Sequence, residues 1–257
     1  PRPVSVCTNT NASFDINDVN IEENGDRAPF NYVLPNGIER EQGIGAFPDA
    51  LQNEQSLALT VCDLPCGDGR AVYKNINYDM RVYERLKMFL HAEVTEKGRP
   101  ANRQVEDGDA SVFIRIGSDF TRNYYEYEIP LTFSKEENIM GVDPADDEYI
   151  NEVWRMENEF DFPLELLRQI KLQRNEEGVP NILFSASDPE KPNNTVRIIG
   201  NPNLGYVRTM MIGVRNNTEF TFAGKCVEIW ANEMRLAGLD ERTAIAALSR
   251  VDMQLAD

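Results

Sequence analysis

Residues 225–239 read KCVEIWANEMRLAGL, and apolar side chains occupy both sets of alternate positions in this stretch. In a strand, where side chains alternate between the two sides, Val227 and Ile229 share one face and Trp230 and Met234 share the other. A strand that is apolar on both faces has to be covered on both sides. The pattern therefore predicts a central strand in a sheet that is stacked against another layer.

Other stretches alternate between one apolar and one more polar face, as strands packed on one side do. These strands are predicted at residues 56–61, 85–94, 111–116, 124–133, 181–187, 195–199 and 206–215. A helix is predicted to start at Asp161, because Leu164, Leu167 and Ile170 follow it at helical spacing. About eight or nine strands, one or two short helices and no βαβ rhythm predict a mainly β fold, a jelly-roll-like antiparallel β-sandwich.

The predicted domain limits are an irregular N-terminal segment or linker at 1–30, the sandwich at 31–239 and a helical segment at 240–257. One or two edge strands are expected within the irregular first 55 residues. A second domain boundary within the acidic, loop-like stretch at 143–158 is the alternative. The chain opens at Pro1 without an initiating Met or an apolar leader, which predicts a piece of a longer protein.

The charge balance is strongly acidic, with 26 basic and 43 acidic residues and a net charge of −17. Such a chain repels phosphates, so nucleic acid is not an expected partner. No run approaches the roughly 20 apolar residues of a membrane helix, so the fragment is not expected to span a membrane.

Two of the four cysteines, Cys62 and Cys66, flank a short turn and form the candidate disulfide. Cys226 lies in a predicted strand, where a buried free thiol is expected. A zinc site would need more ligands than one His and one close Cys pair supply, so no metal site is predicted.

The sequence contains few residues arranged as a catalytic site would require, and the chain is predicted not to be an enzyme. His91, the single imidazole, falls on the more polar face of its strand. Glu126 and Glu128 share a strand face, as a glycosidase pair could, but a solvated polar face is the simpler interpretation. No cofactor is expected; calcium at the acid-rich stretches 107–109 and 143–148 stays open as an alternative.

Aromatic residues suggest one further interpretation. Tyr124 points away from the apolar face that Tyr125 and Tyr127 share, and together with Trp230 it could form a platform on which a sugar ring stacks. The alternative function is therefore a carbohydrate-binding jelly-roll module on the cell surface.

Several long stretches together resemble an internal region of the SprA/Sov family, from about residue 31 to residue 239. One of them is WANEMRLAGL at 230–239, which ends the strand described first. The others lie at 32–41, 53–57, 68–75, 85–93, 107–119 and 123–131.

The resemblance implies an outer-membrane protein of type IX secretion and gliding motility that forms a large β-barrel conduit. This chain would be a non-enzymatic structural or interaction domain inserted in that translocon. Its expected partners are other secretion components and secreted cargo proteins. The expected location is the extracellular face of the outer membrane, with the periplasm and the barrel lumen as alternatives.

Overall fold

Two antiparallel sheets lie face to face in the computed structural model, which describes residues 12–40, 52–96, 104–178 and 181–239. In spatial order, the five-stranded sheet contains β1 (Ser13–Asn20), β2 (Gln55–Cys62), β11 (Lys225–Leu239), β4 (Tyr83–Glu96) and β7 (Phe160–Pro163). The six-stranded sheet contains β3 (Gly69–Tyr78), β10 (Val207–Asn216), β5 (Ala110–Gly117), β6 (Tyr124–Pro130), β9 (Thr195–Ile199) and β8 (Phe184–Ser187).

Helical structure is short apart from one helix. The helices are α1 (Ile21–Asn24), α2 (Glu136–Ile139), α3 (Asp147–Val153) and α4 (Leu164–Glu176), with a 3-10 turn at Met156–Asn158. Leu164, Leu167 and Ile170 of α4 are buried and join the main core, which confirms the side of this helix that the sequence predicts to be apolar.

The two antiparallel sheets confirm the predicted mainly β fold, a β-sandwich. β11 lies between β2 and β4, so it is a central strand of its sheet, as the two-faced pattern of residues 225–239 predicts. Each sheet combines strands from before and after residue 143, and the acidic stretch lies within one sandwich.

Three local expectations differ from the structure. Ser13–Asn20, within the segment predicted to be irregular, forms β1 and pairs with β2. The stretch 143–158 contains α3 and is not only loop. Phe160–Pro163 forms β7, which pairs with β4, so the predicted helix begins at Leu164 rather than at Asp161. The helix predicted at 240–257 lies outside the described residues.

The main core fills the space between the sheets. Alternate residues of every central strand point into it, among them Leu59, Ile114, Tyr127, Ile212 and Ile229, each at most 2% exposed. Burial on this scale is the main term that stabilises a sandwich.

The outer face of the five-stranded sheet is covered by the chain itself. We call residues 21–35 the N-terminal strap; its Phe30 and Tyr32 pack with Trp154 and Trp230 in a second apolar cluster. The Tyr32 hydroxyl contacts Ser56 Oγ at 2.9 Å, and Trp154 Nε1 donates to the Val33 carbonyl at 2.8 Å. Both sides of β11 are therefore buried.

Candidate functional site

The outer face of the six-stranded sheet carries charged and aromatic side chains at the protein surface. We call it the Arg–Glu face, and its centre is formed by Arg115, Glu126, Glu128, Arg197 and Arg215. Strand register brings them together: Arg115 lies opposite Glu126, and Glu126 lies opposite Arg197 on the next strand. The three arginine side chains remain 19–23% exposed, whereas those of Glu126 and Glu128 are 1% and 7% exposed.

Glu126 is held by all three guanidinium groups. Arg115 donates to its Oε2 through Nε at 2.9 Å and through Nη2 at 2.6 Å. Arg197 Nη1 and Arg215 Nη2 donate to Oε1 at 3.0 and 3.1 Å. Arg197 and Arg215 also form ion pairs with Glu128. Both carboxylates are thus fixed in place by charge-assisted hydrogen bonds.

The arginines determine the ionisation of Glu126. Burial alone would raise the pKa of this carboxyl group, but Arg215, Arg115 and Arg197 outweigh burial and hold the pKa below its usual range. Three guanidinium groups face two carboxylates, which leaves one positive charge at the centre of the face. A carboxylate locked in this way is a poor general acid or base, because its proton affinity is low.

Aromatic rings support the arginines from below. Arg115 Cζ lies 4.0 Å from the ring centroid of Tyr124, and Arg215 Cζ lies 4.6 Å from that of Phe113. A Cβ at Gly213 would lie 2.7 Å from Phe113 Cζ, so only glycine lets this ring lie over β10. The stacked rings restrict where each guanidinium group can lie.

An aromatic pair, Tyr73 and Phe120, lies on the same face. Tyr73 is 59% exposed, and its ring centroid is 4.8 Å from that of Phe120. Phe120 belongs to the β5–β6 loop, and its carbonyl accepts from Arg115 Nη1 at 2.6 Å. Arg, Tyr and Phe are the residue types that dominate protein–protein binding surfaces.

The two predicted platform residues, Tyr124 and Trp230, do not come together. Tyr124 lies on the Arg–Glu face, is 7% exposed and has Arg115 over its ring. Trp230 lies on the outer face of the other sheet and is fully buried beneath the N-terminal strap. The predicted joint platform is therefore wrong, because each ring is covered by protein on a different side of the sandwich.

The disulfide expectations are also wrong. Cys62 pairs with Cys226, not with Cys66, because antiparallel pairing of β2 and β11 places Cys62 and Cys226 directly opposite each other. Cys226 is therefore not a free thiol, and Cys66 is disulfide-bonded as well. The prediction paired Cys62 with Cys66 because they are close in sequence. Strand pairing in the sheet instead brings Cys62 to Cys226, 164 positions away.

His91 is fully buried rather than on a polar surface. Its ring stacks against Trp230 at a centroid distance of 4.0 Å, and its Nδ1 donates to the Val153 carbonyl at 2.9 Å. Burial lowers the pKa of His91 to about 3, so the ring is neutral at physiological pH. A group this far from solvent has no route to a substrate.

A buried ion-pair cluster lies beside His91. Arg27 of the N-terminal strap bridges Glu93 on β4 and Glu228 on β11, and Glu228 also accepts from Trp230 Nε1 at 2.8 Å. Burial raises the pKa of Glu93 despite the neighbouring Arg27. The cluster pins the strap to the sheet, which is a structural role.

The acid-rich turns use their oxygens internally. Asp107 Oδ1 accepts from the Phe133 amide at 2.8 Å, and Asp109 Oδ2 accepts from the Glu106 amide at 2.9 Å. Across the described ranges, no group of three or more His, Cys, Asp or Glu side chains has an arrangement that could hold a metal ion. None of the helices in the described part of the chain is long and apolar enough to cross a membrane.

Only some residues of the Arg–Glu face could be predicted from the sequence to share a surface. Glu126 and Glu128 were predicted to share one strand face exposed to solvent. In the structure both are buried under arginines. Arg197 and Arg215 were missed because their strands join β5 and β6 only through long-range pairing. Arg115 could have been predicted from local sequence, because the β5–β6 hairpin places it on the same sheet face as Glu126 and Glu128.

Comparison with known families links the chain to secretion. A family model, SprA_N, described as motility related/secretion protein, matches residues 3–257. A comparison with curated proteins found no match.

Proposed function

Because the chain belongs to the SprA_N family of motility-related and secretion proteins, we propose that it is a non-enzymatic interaction domain of the type IX secretion translocon. In this proposal it forms part of a larger outer-membrane protein and serves protein export and gliding motility. Its partners are other components of the translocon and secreted cargo proteins, and it lies on the extracellular face of the outer membrane.

One observation supports the interaction role: the outer face of one sheet is covered by the chain, whereas the outer face of the other sheet is not. The outer face of the five-stranded sheet is covered by the N-terminal strap, α2 and α3, with Trp230 and Tyr32 fully buried. The Arg–Glu face instead keeps its arginines and Tyr73 at the surface. A stable sandwich with one covered and one exposed outer face has a surface suited to binding another protein.

The same face supports the non-enzymatic assignment. Its two carboxylates are buried and held by arginines, so neither is placed to exchange protons with a substrate. His91 is neutral and enclosed. These positions favour a role in binding over a role in bond-breaking.

Deletion of the domain tests the proposal. The codons for residues 13–239 are removed from the gene, the flanking segments are joined by a short Gly/Ser linker, and secreted protein and colony spreading are measured. We expect export and spreading to fall while the shortened protein is still present in the outer-membrane fraction. Normal export by a stably inserted deletion protein would contradict the proposal.

A further inference from the structure

We infer that the Arg–Glu face binds an acidic, extended segment of a partner protein, whose carboxylates are taken by Arg197 and Arg215. This inference rests on the proposed function and names the chemistry of the partner that the interaction domain recognises.

Unused hydrogen-bond donors are the first argument. Within the described part of the chain, Arg197 bonds to Glu126 and Glu128 through Nη1 alone. Arg215 donates to Glu126 through Nη2 and forms an ion pair with Glu128 through Nη1. A guanidinium group has five N–H donors, so Nε and Nη2 of Arg197 and Nε of Arg215 remain for a ligand. The side chains of Arg197 and Arg215 are 23% and 22% exposed, so a carboxylate can approach them from solvent.

Charge distribution is the second argument. The chain carries a net charge of −17, so most of its surface repels an acidic partner. On the outward positions of the described strands of this sheet, the three arginines outnumber Glu126 and Glu128, and the register places no lysine or aspartate there. The face is therefore a local basic site on an acidic protein, and it selects for negative charge.

Pre-organisation is the third argument. Glu126 and the rings of Tyr124 and Phe113 hold the guanidinium groups before any ligand arrives. These arginines therefore lose less side-chain entropy on binding a partner than freely rotating arginines would.

The dimensions of the face favour a polypeptide over a small anion. Tyr73 on β3, Met211 on β10, Arg115 on β5, Glu126 on β6 and Arg197 on β9 form one row across five strands. At about 4.8 Å between neighbouring strands, the row is roughly 19 Å long, the length of about six extended residues. The exposed Tyr73 ring at one end, packed against Phe120, offers apolar contact that a phosphate or sulfate does not use.

Binding of a labelled peptide to the whole 257-residue chain tests the inference. The probe is a fluorescent octapeptide that alternates Glu and Ser, and its counterpart carries Gln in place of every Glu. By fluorescence anisotropy at low salt, we expect the Glu peptide to bind at least tenfold more tightly than the Gln peptide. Added salt should weaken this binding, because the recognition is electrostatic.

Two variants place the site. Arg197→Gln should weaken binding of the Glu peptide about tenfold, whereas the matched charge change Arg168→Gln, on α4 with a side chain 65% exposed, should leave it unchanged. Met211→Glu keeps all three arginines and adds a negative charge opposite Arg115, so it should weaken binding as well. Thermal unfolding of each variant shows whether the fold is retained.

Other results would overturn the inference. These are equal binding of the Glu and Gln peptides, unchanged binding by folded Arg197→Gln and Met211→Glu, or complete competition by millimolar inorganic phosphate. Self-association through this face, seen by sedimentation velocity and abolished by Met211→Glu, would identify a second copy as the occupant instead. If the Glu peptide does not bind but the deletion strain loses export, the inference about the acidic segment is wrong and the proposed function stands. If the Glu peptide binds but the deletion strain exports normally, the proposed function is wrong and the acidic-segment site stands.

Discussion

Arg27 donates through Nη2 to Glu93 Oε1 at 2.6 Å, which ties the N-terminal strap to a strand 66 residues further along the chain. The same nitrogen donates to Glu228 Oε1 at 2.9 Å, and the guanidinium carbon lies 5.0 Å from the Trp230 ring centroid. One side chain thus compensates two carboxylates under the strap and also packs on the tryptophan that the strap covers.

Replacing this guanidinium should loosen the strap. Arg27→Met retains most of the apolar stem but leaves Glu93 and Glu228 facing each other without a cation. Loss of one partner from such a buried cluster costs about 3 kcal/mol of unfolding free energy, which urea denaturation at pH 7 would measure. The matched variant Arg81→Met, whose ion pair with Asp79 is on the surface, should change the stability little. Equal effects of the two variants would contradict the role assigned to Arg27.

His91 should make the protein less stable as the pH falls. Its pKa is about 3 in the folded chain, against an ordinary value near 6.5. Between these values the unfolded chain binds a proton that the folded chain does not, so the free energy of unfolding falls by up to about 1.4 kcal/mol per pH unit. The raised pKa of Glu93 acts in the opposite direction.

A comparison with His91→Asn isolates the histidine contribution. The asparagine amide can donate to the Val153 carbonyl in place of Nδ1 but does not titrate. The variant should be less stable at pH 7, since it loses packing against Trp230, yet its stability should change less between pH 7 and pH 5. Parallel pH profiles for the two proteins would show that His91 is not the titrating group.

The central strands could be predicted from sequence because their alternation reflects burial on one side or both. Residues 195–199 and 225–239 form strands as their patterns indicate. β3 and the position of β1 were not predicted, because both strands lie at sheet edges, where one side of the strand faces water. Neither of these two strands therefore has a continuous apolar face in its sequence.

The site was harder to predict than the fold because its residues are joined across long separations. Glu126 meets Arg197 and Arg215, which lie 71 and 89 residues away. Only the strand order of the six-stranded sheet brings these side chains together. Trp230 was misassigned for the same reason, since nothing local to β11 shows that the strap covers it.

The Cys62–Cys226 disulfide should be visible in peptide mapping. Digestion without reduction should give a peptide pair that joins Cys62 to Cys226 and none that joins Cys62 to Cys66. Because the bridge spans 164 residues, the free energy of unfolding of the double variant Cys62→Ala, Cys226→Ala should be about 5 kcal/mol lower. A Cys62–Cys66 peptide as the main product would contradict the strand register of β2 and β11.

Glu126 should stabilise the fold because it balances three arginines in a buried position. Glu126→Gln keeps the shape of the side chain but removes the charge, so Arg115, Arg197 and Arg215 are left with Glu128 alone. We expect the free energy of unfolding at pH 7 to fall by about 3 kcal/mol. Glu165→Gln, at an exposed ion pair with Arg168, is the matched control and should have little effect.

The acid dependence of this difference tests the electrostatic explanation. The folded pKa of Glu126 lies below its ordinary value, so its contribution is fully present above the ordinary carboxyl range near pH 4.5. It should be lost as the pH falls through the lowered folded pKa, where the carboxyl group becomes protonated in both states. The stability difference between wild type and Glu126→Gln should therefore shrink in acid. A difference that stays constant from pH 7 to pH 3 would mean that Glu126 acts through packing and hydrogen-bond shape rather than through its charge.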